Sequence, residues 1–305
     1  MRQPPLVLIH IPKTAGSAFR RLISRRYPGR FRNAPNTFTH PQVAAERLRE
    51  MMQAEPPPLA LGGHIVFGLR DVLPSEAAYM TILRDPVERT LSHYGYLVAP
   101  RDPVERPHGL LARDTPYNPD LTLAEALADP RYLPDNLQTR MLVAHRSPFE
   151  PLPPDALEQA KEHLRSRFAF VGVTERLDEL SALLTVALGW RSRLPRRTRV
   201  GEARPRRTSL EPEAIAAVEA QNALDLELYR LAVELQEQAV EPHADEVRLE
   251  LDVLERARHL REVGRKNAEP AKGDLRARLV DTRARILLED ERADRLAKRL
   301  AREGG

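Results

Sequence analysis

Leu6-Val7-Leu8-Ile9-His10-Ile11-Pro12-Lys13-Thr14-Ala15-Gly16-Ser17 decides how this chain of 305 residues is read. A short apolar strand runs into a small-residue loop with one lysine and two hydroxyls. A helical pattern follows at once, from Ala18 to Ile23. Strand, loop and helix N-terminus in that order make an anion site, because unpaired N–H groups and the positive end of the helix dipole converge above the loop. Lys13 adds a full charge, and Thr14 and Ser17 add hydroxyls. The pattern points to a phosphate or a group shaped like one. It is not a Walker A loop, in which the lysine follows the glycines and a metal-binding hydroxyl stands next to it. Taken alone, the stretch also reads as an ordinary strand-to-helix turn.

A second stretch, Tyr79-Met80-Thr81-Ile82-Leu83-Arg84-Asp85-Pro86-Val87-Glu88-Arg89-Thr90-Leu91-Ser92-His93-Tyr94, repeats the arrangement. The apolar run to Leu83 predicts a buried strand. Pro86 suits the first position of a helix, and Asp85 suits its N-cap. Arg84 then falls at the strand's C-terminal end, where open α/β sheets place ligand contacts. Ser92 follows about two helical turns later, at 3.6 residues per turn. By itself this segment needs no more than an Arg-Asp pair capping a helix.

Together the two stretches resemble the 3′-phosphoadenylyl-sulfate (PAPS) dependent sulfotransferases, in particular the heparan-sulfate 2-O-sulfotransferase family and its bacterial relatives. Gly62-Gly63-His64-Ile65-Val66-Phe67, Asn136-Leu137-Gln138-Thr139-Arg140-Met141-Leu142 and Phe170-Val171-Gly172-Val173-Thr174-Glu175-Arg176-Leu177 also look like that family. Asn222 to Tyr229 resembles the helix that closes its domain. The resemblance spans residues 5–235 and keeps the order of the motifs. It implies that the loop Lys13, Thr14, Ala15, Gly16 and Ser17 holds the 5′-phosphosulfate, with Lys13 on the bridging oxygen. It implies that Arg84 and Ser92 hold the 3′-phosphate, and that His64 takes the proton of the acceptor hydroxyl. Two positions depart from the pattern: Ala18 stands where many members carry a second hydroxyl, and Gly95 replaces an aromatic residue.

The residue types suit sulfuryl transfer. Charge moves onto the leaving oxygen in an in-line transition state, as in phosphoryl transfer, so positioning, positive charge and removal of a proton are what a protein can supply. An imidazole titrating near 6.5 suits the last task. The bland reading of His64 is a turn residue ahead of a strand Ile65-Val66-Phe67. His10 alternates within an apolar strand and is expected to be a packed, hydrogen-bonded core residue; His93 is expected to line the cleft. The chain has no cysteine, and its nine histidines show no ligand spacing, so no metal is expected.

A formal charge of +4 implies no field for a polyanion, and no nucleic-acid partner is expected. No signal peptide and no apolar run of membrane-spanning length is visible, so the expected location is cytoplasmic. Residues 99–120, rich in proline, arginine and aspartate, read as a surface loop with a short helix near Leu110. Residues 191–207 carry eight arginines and read as a solvated loop or as a flap over an anion. Beyond residue 241, Val247, Leu251, Leu254 and Ala257 lie at helical spacing. Leu279, Ile286, Ala293 and Leu300 recur every seven residues, with Thr282 and Glu289 spoiling the seam of a coiled coil.

The expected fold is α/β, a P-loop-like three-layer arrangement with a mostly parallel central sheet, plus a helical C-terminal extension. A PAPS-dependent sulfotransferase domain is expected over residues 1–240 and the extension over 241–305. The expected reaction moves a sulfuryl group from PAPS, leaving PAP, to a hydroxyl of a saccharide or glycan. A homodimer through the C-terminal helices is one arrangement of the tail; packing on the same subunit is the other. A nucleotide-dependent kinase and a non-catalytic nucleotide-binding or assembly protein remain the alternatives.

Overall fold

The computed structural model describes residues 5–36, 41–68, 72–74, 76–99, 118–143, 150–194, 204–263 and 274–303. The expected helix near Leu110 and most of the arginine-rich stretch lie outside these residues. The chain forms two compact units, residues 1–175 with 197–236 and residues 176–196 with 237–305.

In the first unit, strands β1 (Leu6–Ile9), β2 (Phe31–Asn33), β3 (Ala60–Gly63), β4 (Ala78–Leu83) and β5 (Phe168–Val173) form one sheet in the order β2-β3-β1-β4-β5. Every pairing is parallel. The α-helices among the described residues are α1 (Gly16–Arg26), α2 (Pro41–Gln53), α3 (Pro86–Val98), α4 (Leu123–Ala128), α5 (Leu137–Leu142), α6 (Ala156–Arg167), α7 (Leu177–Ala187), α8 (Pro212–Gln221), α9 (Ala223–Val240), α10 (Ala244–Glu262) and α11 (Leu275–Glu303). β1 occupies the centre and is buried along its whole length, which is why Leu6-Val7-Leu8-Ile9 is a continuous apolar run rather than an alternating one. Val7, Ile9 and Ile11 meet Leu61, Leu83 and Val173 from the sheet in one core with Leu137, Met141 and Leu228 from helices.

The order of strands places the candidate site. The chain leaves β1 for β2 and β3 on one side, then crosses to β4 on the other, so β1 is the point where the winding reverses. In open α/β sheets the ligand crevice lies at that point, beyond the carboxyl ends of the strands. Ile9 is in register with Gly63, so His10 and His64 are the next residues of neighbouring strands. Ile9 is also in register with Thr81; β4 continues through Leu83 before Arg84 leaves the sheet.

The strand around His64 differs from the expectation. It precedes the histidine, as Ala60–Gly63, and Ile65, Val66 and Phe67 are buried without forming a strand. Glycines weaken a strand and often mark a place where a neighbouring segment approaches closely, as one does here. A Cβ on Gly63 would lie 2.6 Å from the Ala34 carbonyl oxygen, and one on Gly62 3.2 Å from Leu8 Cβ. The two glycines are what lets β3 lie between its neighbours.

The second unit is helical. α10 packs along both α7 and α11. Its core joins Leu194, Val253, Leu254, Ala257 and Leu260 to Ala284, Leu287 and Leu288. Arg256 and Asp281 pair across α10 and α11 at 2.7 Å, and Arg258 pairs with Asp178 of α7. The seven-residue row of α11 is not the buried one: Leu279 and Ile286 are exposed, at 44% and 53%, and the side chain of Leu300 lies outside the described residues. A chain ending at residue 240 lacks the helix that α7 packs along. It is expected to melt well below the full chain or to precipitate, which parallel thermal melts would measure.

Candidate functional site

The loop after β1 is held in a form that the sequence alone does not announce. Lys13 and Ala15 both adopt left-handed backbone, with φ of 70° and 60°. Such angles are uncommon outside glycine and persist where surrounding structure enforces them. Thr14 enforces part of it: its side chain is fully buried and its hydroxyl donates to the Ile11 carbonyl oxygen at 2.9 Å. The Thr14 hydroxyl proton is thus used inside the loop, which leaves the backbone N–H groups, the Lys13 ammonium and the Ser17 hydroxyl as the donors of this segment. Ala15 is the N-cap of α1 and supplies no capping side chain, so the first N–H groups of α1 are left to solvent or a ligand. Lys13, Ala15 and Ser17 are half-buried, whereas Gly16 is buried. The Lys13 ammonium lies over the Tyr96 ring of α3, 4.6 Å from its centroid. Tyr96 and Ser92 are four residues apart, so they share one face of α3.

Arg84 reaches the same loop from the other strand. Its Nη1 donates to the Lys13 carbonyl oxygen at 3.0 Å, and its Nη2 lies 3.8 Å from Glu88. Its Nε is buried and has no hydrogen-bond partner among the described residues. Arg204, from the end of the arginine-rich stretch, also pairs with Glu88. The backbone of Arg204 sits directly on Gly95: a Cβ there would lie 2.5 Å from Arg204 Cα. The departure from an aromatic residue at Gly95 is therefore the gap into which this segment packs. Arg207 pairs with Glu219 at 2.7 Å and approaches Asp85 at 3.9 Å.

The other motifs brace Arg84. Asp85 caps α3 by accepting from Glu88 N at 2.9 Å, with Pro86 at the first helical position. The side-chain amide of Gln138 holds the Arg84 backbone from both sides, accepting from its N–H at 2.9 Å and donating to its carbonyl oxygen at 3.0 Å. The N-termini of α5 and α9 cap one another. Asp225 accepts from Gln138 N, Thr139 N and Thr139 Oγ1 at 2.7–3.0 Å. Asn136 Oδ1 accepts from Leu224 N and Asp225 N at 2.9 and 3.2 Å. Arg89 is fully buried beside this bracket, donating to Thr90 Oγ1 at 3.0 Å, with its pKa pushed down to about 10 by burial against the pull of Asp225.

His64 stands on the opposite flank. Its Nδ1 lies 2.7 Å from the His10 carbonyl oxygen. A carbonyl can only accept, so Nδ1 carries the proton and Nε2 keeps the lone pair in the neutral ring. The two imidazoles stack, with centroids 4.4 Å apart and planes 28° apart. His10 is buried as expected, but it is not hydrogen-bonded at Nδ1 among the described residues. His93 is buried on α3. Burial holds both His10 and His64 below the ordinary imidazole range; the His64, Arg20 and Lys13 charges add to this at His10, and Arg20 adds to it at His64 against the carbonyl bond. Arg20, one turn into α1, is a member of the site that sequence reading passed over, because nothing in its spacing separates it from a solvated arginine.

These shifts have a consequence for stability. Both rings are neutral in the fold at pH 7, whereas in the unfolded chain they titrate near 6.5. Below that value the unfolded chain binds protons that the fold refuses, so stability falls as pH falls. The slope approaches about 1.4 kcal/mol per pH unit for each histidine. Urea midpoints between pH 7.5 and 5.5 are expected to drop in the wild type and to drop less steeply in His64→Asn, which keeps only the His10 contribution, about 6.5 being the point where the fall begins.

Among the described residues no group of three or more His, Asp or Glu side chains is placed to hold a metal ion, and no helix is long and apolar enough to cross a membrane. No family model matches this chain, and no curated protein does either. Among solved structures, one of a mouse sulfotransferase, SULT7A1, complexed with PAP is similar at 15% identity and a TM-score of 0.37. The match covers 73% of this chain and 65% of that one, so the chain spans less than two thirds of that protein's length.

Proposed function

We propose that this chain transfers a sulfuryl group from PAPS to a hydroxyl of an acceptor, which the family resemblance makes a saccharide. The observation that carries the reading is the convergence of three groups at the carboxyl ends of neighbouring parallel strands. These are the Lys13–Ser17 loop after β1, Arg84 after β4, and His64 after β3 with its proton parked on Nδ1. The residues fit PAPS as a ligand. A loop with uncapped N–H groups and a lysine suits a phosphosulfate, and the buried Arg84 Nε without a partner suits a second anion. When bound, PAPS supplies the sulfuryl group and PAP is the leaving group.

The roles of this chain's residues follow. Lys13, Gly16 and Ser17 hold the phosphosulfate end, with Lys13 placing positive charge where negative charge develops. Thr14 and Ala15 contribute through backbone, Thr14 by bracing the turn and Ala15 by its left-handed geometry. Arg84 and Ser92 bind the 3′-phosphate, and Arg204 adds a second guanidinium beside Arg84. His64 Nε2 accepts the proton of the acceptor hydroxyl, a step for which its neutral form is the competent one.

The test is calorimetry with PAP, ATP and GDP, with and without magnesium. PAP is expected to bind without metal and to stabilise the fold, by about 2.7 kcal/mol at a hundredfold excess over Kd. Arg84→Ala is expected to weaken PAP roughly ten- to a hundredfold, the worth of a hydrogen bond to a charged group. Adenosine 5′-phosphosulfate, which lacks the 3′-phosphate, should lose far less. Equal losses would remove Arg84 from this role. Stabilisation by magnesium-ATP with none by PAP would make the chain a kinase.

A further inference from the structure

His10 has no part in the roles above, yet its position is singular. It leaves β1 one residue after Ile9 and one residue before the loop turns, and its two faces meet the two halves of the site. On one side its ring stacks on His64 at 4.4 Å. On the other side it fills the space above Gly16: a Cβ on that glycine would fall 2.0 Å from His10 Cδ2 and 2.5 Å from Nε2. Its own carbonyl oxygen is the acceptor that fixes the proton of His64. Gly16 adopts no left-handed backbone here, so the ring of His10, rather than φ, excludes a side chain at this position.

The geometry points to His10 as the positioning residue that sets His64 against the anion loop, its ring acting as a plate wedged between Gly16 and the base. The inference rests on His64 being the base of the proposed transfer. The Nδ1 of His10 makes no hydrogen bond among the described residues, so what its ring contributes toward His64 is shape and a dry stacked face. If the plate is removed, His64 keeps its carbonyl acceptor but gains solvent on the stacked face. If the plate is pushed from the loop side, His64 must move with it. The charged and titratable groups that act on His10 are His64, Arg20 from α1 and Lys13 from the loop, and on His64 the charge that acts is Arg20, against the His10 carbonyl bond.

The experiment follows the His64 imidazole by NMR titration in the wild type, His10→Ala, His10→Phe and Gly16→Ala. Steady-state kinetics and PAP binding are measured on the same proteins. In the wild type His64 is expected to titrate below about 6.5. His10→Ala is expected to raise that midpoint toward the free value, move the acid limb of kcat with it, and lower kcat roughly a hundredfold. That is the cost of a misplacement on the scale of one ångström. His10→Phe restores a flat apolar plate and is expected to keep the midpoint low and most of kcat. Gly16→Ala pushes the ring without altering either histidine and is expected to reproduce the midpoint shift, so the inference survives testing even where His10→Ala does not fold. An unmoved His64 midpoint in both His10→Ala and Gly16→Ala would overturn it. A wild-type protein that neither binds PAP nor transfers sulfuryl groups would overturn the functional reading instead, and the titration would still decide whether His10 controls His64.

Discussion

Lys13→Ala and His64→Ala are each expected to lower turnover by at least about a hundredfold, the low end of what positioned charge and base catalysis supply. The two should part company in binding. Lys13 lies over Tyr96, so its loss removes a contact between the loop and α3 together with the charge that the proposed reaction places at the leaving side. PAP affinity should fall along with kcat. In the proposed roles His64 meets the acceptor rather than the cofactor, so its loss should leave PAP affinity nearly intact while kcat falls. Burial holds His64 below the usual imidazole range, so its neutral form persists to lower pH and the acid limb of kcat should lie below about 6.5. Near-normal turnover in a folded His64→Ala protein would mean that another group takes the proton. His93, buried on α3 beside Ser92, would then be the first to replace.

Much of this site was legible because its parts are local. A strand, a small-residue loop and a helix start fall within the dozen residues from Leu6 to Ser17, and Asp85 and Pro86 announce their helix by themselves. What stayed hidden depends on pairs far apart in the chain or on a local backbone form that residue types do not announce. The stretch Gly62-Gly63-His64 read as a turn ahead of a strand, because the close approach of Ala34 and Leu8 that requires the glycines within β3 is a tertiary fact. Thr14 read as a phosphate donor because a hydroxyl in such a loop usually is one; that its proton goes to Ile11 depends on the turn's own left-handed backbone. His10 read as an ordinary core histidine because alternation reports burial and says nothing of which rings meet. The apolar stripe of α11 at Leu279 and Ile286 was visible, but periodicity alone does not tell a covered face from an exposed one.

The stretches at Asn136–Leu142 and Asn222–Tyr229 gain a physical reason from the bracket around Asp225, and its removal is the second large effect expected. Asp225 is fully buried and accepts three hydrogen bonds at the start of α5, and Arg89 leans on it electrostatically. Burial pushes its carboxyl upward, opposed by Arg89 and by the three donors. Asp225→Ala would leave three donors without an acceptor and one guanidinium without a counter-charge, all inside the core. Breaking a buried charge arrangement by removing one partner typically costs about 3–5 kcal/mol, out of a total stability of about 5–15. The melting temperature should fall by roughly 6–20 °C, taking 2–4 °C per kcal/mol for a unit of this size. Asp225→Asn is nearly isosteric but brings two N–H donors to a place already filled with donors, so it should recover little. Arg89→Met combined with Asp225→Asn removes both charges and should cost less than the sum of the single changes, because the Asp225 change no longer strands a buried cation. Additive losses would show that Arg89 and Asp225 are not coupled. The damage should also reach function without any contact to a ligand: Gln138 donates its backbone N–H to Asp225 and holds the Arg84 backbone with its side chain. A folded Asp225 variant should therefore bind PAP more weakly than wild type while keeping its affinity for adenosine 5′-phosphosulfate, the same signature as Arg84→Ala in a protein whose Arg84 is intact.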